Sequence, residues 1–128
     1  MKHFLVVDDD PAICRAVTRL LSPYTKTVEA PNAEAATRLL DKLTFAAVIS
    51  DFQMPYQNGI WLLEQARSKQ PNALRVLMSG SEPPDLAKHQ STGLVQQWLS
   101  KPFTEENFFA CLGIRQSGVA TREGPIPS

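Results

Sequence analysis

Three consecutive carboxylates, Asp8, Asp9 and Asp10, follow four apolar residues in the segment "FLVVDDDP" at positions 4 to 11. Crowded carboxylates raise one another's pKa, so such a cluster is unstable without a cation. A solvated acidic run seldom abuts the most hydrophobic piece of an N-terminus. Hard oxygen donors on a loop edge, with room for water, suit Mg2+ or Mn2+. Three further polar positions also stand just past, or at the end of, apolar stretches. Asp51 follows "FAAVIS", Ser79 and Gly80 close "LRVLMS", and Lys101 follows "QQWLS". Brought together, they would add a carboxylate, a hydroxyl and an ammonium to the acidic cluster.

The elements that must position them alternate along the chain. "HFLVV" is a short apolar run bounded by turn formers, hence a buried strand. Asp10-Pro11 supplies a capping residue and a proline at the first helical position, which predicts a helix over 11–22. "KTVEA" reads as a second strand, and "PNAEAATRLLDKL", with Asn32 as cap, as a second helix. "FAAVIS" is a third buried strand, followed by the loop "DFQMPYQN" and a helix from Gly59 to near Lys69. "LRVLMS" is a fourth strand, "PPDLAKHQST" a weaker fourth helix, "QQWLS" a short fifth strand and "TEENFFACL" a fifth helix. Five strands alternating with five helices predict an α/β fold, a five-stranded parallel sheet with helices on both faces. In such sheets ligands bind beyond the carboxyl ends of the strands. That is where Asp8, Asp9, Asp51, Ser79 and Lys101 fall.

Composition sets the bounds. The chain has 128 residues, enough for one domain with a real core. Its 13 basic and 13 acidic residues cancel, so no charge excess points to nucleic acid or an anionic membrane. The longest apolar runs, "FAAVI" and "FFACL", are far short of the roughly 20 residues that span a bilayer. Without a signal-peptide pattern, the expected location is the cytoplasm. Cys14 and Cys111 are expected to be free thiols filling structure. Residues 1–115 read as one domain. Residues 116–128, "QSGVATREGPIPS", read as a flexible tail or the start of a linker.

Taken in order, "VVDDDP", "ISDFQMP", "LMSG" and "LSKPF" cover residues 3 to about 113 and resemble the receiver domain of two-component response regulators. The resemblance implies a doubly wound, flavodoxin-like fold with Asp51 as phospho-acceptor. The donor would be a phosphohistidine on a sensor histidine kinase or phosphotransfer protein. Asp8 and Asp9 match the acidic pair that positions Mg2+, with Asp51 and the backbone carbonyl of Gln53 as the other protein ligands. Ser79 matches the hydroxyl that hydrogen-bonds the phosphoryl group, and Lys101 the lysine that pairs with it. Asp10 is left to cap the first helix. Gly80 leaves space beside the phosphoryl group, and Gln53 and Ser81 resemble positions that tune phosphoryl lifetime.

The resemblance also makes Ser79 and Trp98 the switch pair. Trp98 stands where the family usually has Tyr or Phe, an aromatic that turns inward behind the hydroxyl residue. Its indole N–H wants a partner, so the expectation is a ring that stays partly exposed and contributes to a binding surface. A cis Lys101–Pro102 peptide is implied as well. Such a domain is not a conventional enzyme, although it catalyses its own phosphorylation and dephosphorylation. Other Asp-nucleophile phosphohydrolases want a second Asp two residues on, where this chain has Gln53. A flavodoxin-type mononucleotide binder would need a phosphate cradle, not three carboxylates, after the first strand.

The output is expected to run through the fourth helix, fifth strand and fifth helix, to a downstream partner or to an attached output domain. A weak dimer is the other contact considered. Direct nucleic-acid binding and membrane association are not expected. The second reading is a receiver-fold interaction module independent of phosphate. The intact set of Asp8, Asp9, Asp51, Ser79 and Lys101 favours the phosphorylated switch.

Overall fold

The computed structural model describes residues 3–114. The expected tail over 116–128 lies outside the described residues. In chain order the elements are β1 (His3–Val7), α1 (Pro11–Leu21), β2 (Thr27–Ala30), α2 (Ala33–Leu40) and β3 (Phe45–Asp51). There follow α3 (Gly59–Lys69), β4 (Leu74–Ser79), α4 (Leu86–Ser91), β5 (Gln97–Ser100) and α5 (Glu105–Leu112). The strands form one parallel sheet in the order β2-β1-β3-β4-β5. The direction of winding reverses between β1 and β3, and such a switch point opens a crevice at the carboxyl edge.

Register decides what meets at that edge. Val7 is level with Ser50, Asp51 with Met78, and Ser79 with Ser100. One residue further on, Asp8, Asp51, Ser79 and Lys101 therefore come from four adjacent strand ends. The sheet can hold this register because both faces are covered. Along β1, Leu5 and Val7 pack with α2, α3 and Phe45, while Val6 packs on the other side with Cys14, Val17, Phe108 and Phe109. This two-sided burial is why the central strands read as continuous apolar runs rather than alternating ones.

Local capping accounts for most helix starts. Asp10, Asn32, Asn58 and Thr104 each accept a backbone N–H from the first turn of the helix they precede. Two helices are shorter than the sequence suggests by three residues or more. α2 ends at Leu40 rather than Leu43, because the chain turns there and the Gln70 amide donates to the Leu40 and Leu43 carbonyls. α4 begins at Leu86, so Pro83 and Pro84 precede it instead of forming its first turn. Asp85 adopts a left-handed φ of 58°, which breaks the helical path just before Leu86.

Gly59, the first residue of α3, lies directly against the backbone of the phospho-acceptor candidate. A Cβ there would collide with the Asp51 carbonyl oxygen and stand 2.8 Å from Leu77 Cδ1. The Asp51 carbonyl cannot yield without moving β3, and Leu77 is fully buried. Gly59→Ala is therefore expected to destabilise the domain by about 2 kcal/mol, read as a lower urea midpoint. An unchanged midpoint would contradict this packing.

Candidate functional site

The site is assembled from loop-edge residues held by buried strands. Asp8 follows β1 and is only 2% exposed, and Asp51 ends β3 at 8%. The Lys101 ammonium donates to both, at 2.8 Å to Asp8 Oδ2 and 3.0 Å to Asp51 Oδ1. Asp8 Oδ1 accepts the Asp10 backbone N–H at 2.9 Å. Lys101 is itself set in place by its backbone N–H, which donates to the Ser79 carbonyl at 2.7 Å. The Lys101–Pro102 peptide is cis. Carboxylate oxygens of Asp8, Asp9 and Asp51 all lie within 4.8 Å of one another. Asp10 turns away, its carboxylate accepting the Ala12 N–H as the cap of α1.

Charge counting shows what this cluster wants. Three carboxylates and one ammonium leave two formal negative charges beside a solvent-open cleft. Burial pushes the Asp51 pKa up, the hydrogen bond and charge of Lys101 oppose that, and Asp8 and Asp9 add to it. Burial alone would push the Lys101 ammonium down, but hydrogen bonds from it to Asp8 and Asp51, and their charges, outweigh burial and raise it. The ammonium thus stays protonated and neutralises only part of the cluster. Three close hard-oxygen donors with two unbalanced charges match a divalent cation such as Mg2+. The donor set fits the metal that the sequence implies.

Next to Asp51 lies a cleft of about 500 Å3 lined by Gln53, Ser79, Gly80, Ser81, Glu82 and Lys101 among others. Gln53 is exposed and also borders Asp9 across a second opening. A Cβ on Gly80 would meet nothing within 4 Å, so space is open at that position. Ser79 is buried, and the single proton of its hydroxyl is committed. It donates to the Ser81 carbonyl at 2.5 Å and accepts the Trp98 indole N–H at 2.8 Å. Trp98 is half-buried, and the partner its N–H wanted is the Ser79 hydroxyl itself.

All five expected chemical side chains thus stand at one sheet edge. Sequence reasoning missed the Trp98–Ser79 hydrogen bond and the close approach of Gly59. A lone glycine opening a helix was the available signal for the second. Cys14 is buried, with its thiol on the Asp8 carbonyl and its pKa pushed up to about 11 by burial and by Asp8 and Glu29, so it fills structure. Cys111 is likewise pushed up by burial.

Residues 4–112 match the family model described as the response regulator receiver domain. The chain belongs to that family. This receiver domain is 30% identical over 128 residues to the transcriptional regulatory protein FixJ of Bradyrhizobium diazoefficiens, covering 97% of this chain and 62% of FixJ. It is 31% identical over 106 residues to the chemotaxis protein CheY of Pseudomonas aeruginosa, covering 80% of this chain and 86% of CheY. Other curated relatives are longer still, and the matched region spans about a fifth of their length. Among solved structures, the receiver's fold is similar to the response regulator TrrA of Thermotoga maritima in complex with Mg(2+)-BeF. The TM-score is 0.76 at 24% identity, over 88% of this chain and 97% of that one.

The electrostatics give a direct test. Because burial and two neighbouring carboxylates penalise the charged form of Asp51, removing its charge relieves the metal-free protein above the ordinary carboxylate range. Asp51→Asn is expected to raise the melting temperature in EDTA at pH 7 by about 2–5 °C. The gain should shrink toward pH 4, where wild-type Asp51 takes up a proton. Equal melting temperatures at pH 7 would contradict the reading.

Proposed function

We propose that this receiver domain is a phosphorylation-activated switch in which Asp51 accepts a phosphoryl group from a phosphohistidine. The observation that carries the reading is the Lys101 ammonium shared between Asp8 and Asp51, inside a carboxylate cluster that keeps two negative charges. Among the described residues, side-chain hydrogen bonds engage only Oδ1 of Asp51, which leaves Oδ2 for attack on phosphorus. The new O–P bond forms as the P–N bond breaks, and the imidazole leaves with the electron pair. Asp8, Asp9, Asp51 and the Gln53 carbonyl would hold Mg2+, which would supply positive charge to the transferring oxygens. Lys101 pairs with one of those oxygens. Ser79 donates its hydroxyl proton to another by giving up the Ser81 carbonyl. Such alignment and charge neutralisation is most of what phosphoryl transfer asks of a protein.

Ser79 then couples the site to the surface. Its hydroxyl cannot serve the phosphoryl group and the Ser81 carbonyl with one proton. Losing that bond frees the loop before α4, and Trp98 on β5 is tied to the same oxygen. The changed surface would be α4, β5 and α5, read by a downstream partner or an attached output domain. Gln53 and Ser81, at the rim of the cleft, would set how fast water reaches the aspartyl phosphate. Among the described residues no helix is long and apolar enough to cross a membrane, and we place the domain in the cytoplasm beside its histidine kinase.

Incubation with acetyl phosphate and Mg2+, read by intact mass, should add one phosphoryl group. The gain should vanish in EDTA and in Asp51→Ala. No gain at excess donor and Mg2+ would favour the phosphate-independent interaction module instead. Under the same conditions, indole fluorescence should change on phosphorylation in wild type and in Trp61→Phe. Trp98→Phe should abolish that change, and its persistence there would remove Trp98 from the switch.

A further inference from the structure

Two arginines converge on the C-terminal end of α4, and the chemistry of Asp51 uses neither. Arg75, on β4, is 5% exposed. Its guanidinium donates to the carbonyls of Leu94 (3.0 Å), Gly93 (2.9 Å), Pro71 (3.2 Å) and Ala73 (3.3 Å). Arg67, on α3, donates to the neighbouring Thr92 carbonyl at 3.2 Å. Among the described residues neither arginine has a carboxylate partner. A buried cation without one needs its donors satisfied, and for Arg75 the carbonyls of the α3–β4 and α4–β5 connections do this, while Arg67 reaches the Thr92 carbonyl at the cap of α4. Five fixed guanidinium N–H groups can reach several carbonyls at once, which a lysine could not. Gln96 adds a two-way tie, its side chain accepting the Arg75 N–H and its own N–H donating to the Arg75 carbonyl.

The other end of α4 is held by the buried Leu86, whose N–H donates to the Pro83 carbonyl, and among the described residues it has no arginine and no side-chain cap. Pro83 and Pro84 offer no N–H, Asp85 sits at a left-handed φ, and its side chain makes no capping bond. Ser81 and Glu82 are exposed and line the same cleft as Asp51 and Lys101. The Ser81 carbonyl is held by the Ser79 hydroxyl, the bond that the proposed phosphoryl group would claim.

We infer that Arg67 and Arg75 form a fixed pivot at residues 92–96, which confines the response of α4 to its Ser81–Leu86 end. This deepens the proposed function, since the displacement it describes is driven by phosphorylation of Asp51. α4 then behaves as a lever whose free end lies at the phosphoryl cleft. The pivot ties together α3, β4 and the α4–β5 connection, so the start of β5 keeps its register while Trp98 responds.

Hydrogen exchange read by mass spectrometry tests the pivot in the whole chain, with and without acetyl phosphate and Mg2+. The amides of Thr92, Gly93, Val95 and Gln96 are all hydrogen-bonded and serve as reporters. On phosphorylation, confirmed by intact mass in the same sample, exchange should change across residues 81–88. The four reporters should change by less than about twofold. An equal or larger change at the reporters would overturn the inference. In unphosphorylated Arg75→Met, exchange at the reporters should rise by about tenfold or more, and an unchanged rate in a folded variant would also overturn it. If Arg75→Met does not fold, the surface variant Arg67→Gln provides the same comparison, with a smaller rise expected and no rise overturning it. Should wild type gain no phosphoryl group, the functional reading fails while the arginine variants still decide the anchor.

Discussion

The ammonium of Lys101, shared between Asp8 and Asp51, is the contact on which the rest of the molecule depends. It joins residues 93 and 50 positions apart in the chain. Such a contact exists only if β1, β3 and β5 end at the same level. That requirement is met by a parallel sheet in the order β2-β1-β3-β4-β5, with β4 carrying Ser79 between β3 and β5. The backbone bond from Lys101 to the Ser79 carbonyl extends the β4–β5 ladder by one step and aims the lysine across the edge. The helices on both faces supply the burial that makes this register unique, since slipping one strand by a residue would turn its apolar side chains the wrong way.

The arrangement stores a conflict at the place where it works. Asp8 and Asp51 are nearly buried, Asp9 is close to both, and one ammonium cannot neutralise three carboxylates. Active sites commonly hold such unfavourable charge because function needs it, at some cost in stability. In the proposed function, this imbalance is what would prepare the edge for a divalent cation and an incoming phosphoryl group. The Ser79 hydroxyl carries a similar tension, already committed to Ser81 and Trp98 before any phosphate arrives. On the proposed reading, changing its partner is a local event, and the loop before α4 would respond more than residues 92–96, where Arg67 and Arg75 hold the chain.

Much of this was legible in the sequence for a physical reason. Strands covered on both faces read as unbroken apolar runs, so β1, β3 and β4 declared themselves, and polar residues at their ends marked the edge. Asp8, Asp9, Asp51, Ser79 and Lys101 each follow or close such a run, and the order of their motifs matched one family. What escaped depends on contacts distant in sequence. Arg75 reads as a lapse in the run "LRVLMS", and only the fold brings carbonyls around it. Trp98 announced that its N–H needed a partner, but not which one. The start of α4 was misplaced because a proline pair is compatible with a first helical turn. The left-handed Asp85 that moves the start to Leu86 is a backbone choice made in context.

The central claim is that Asp51, among the crowded carboxylates of this edge, is the one that becomes the acyl phosphate. Borohydride reduction after treatment with acetyl phosphate and Mg2+ tests it directly, because an aspartyl phosphate is reduced to homoserine where a free carboxylate is not. Peptide mapping by mass spectrometry should find homoserine at position 51, with Asp8, Asp9 and Asp10 unchanged. Homoserine at one of those three positions, or at none, would contradict the account.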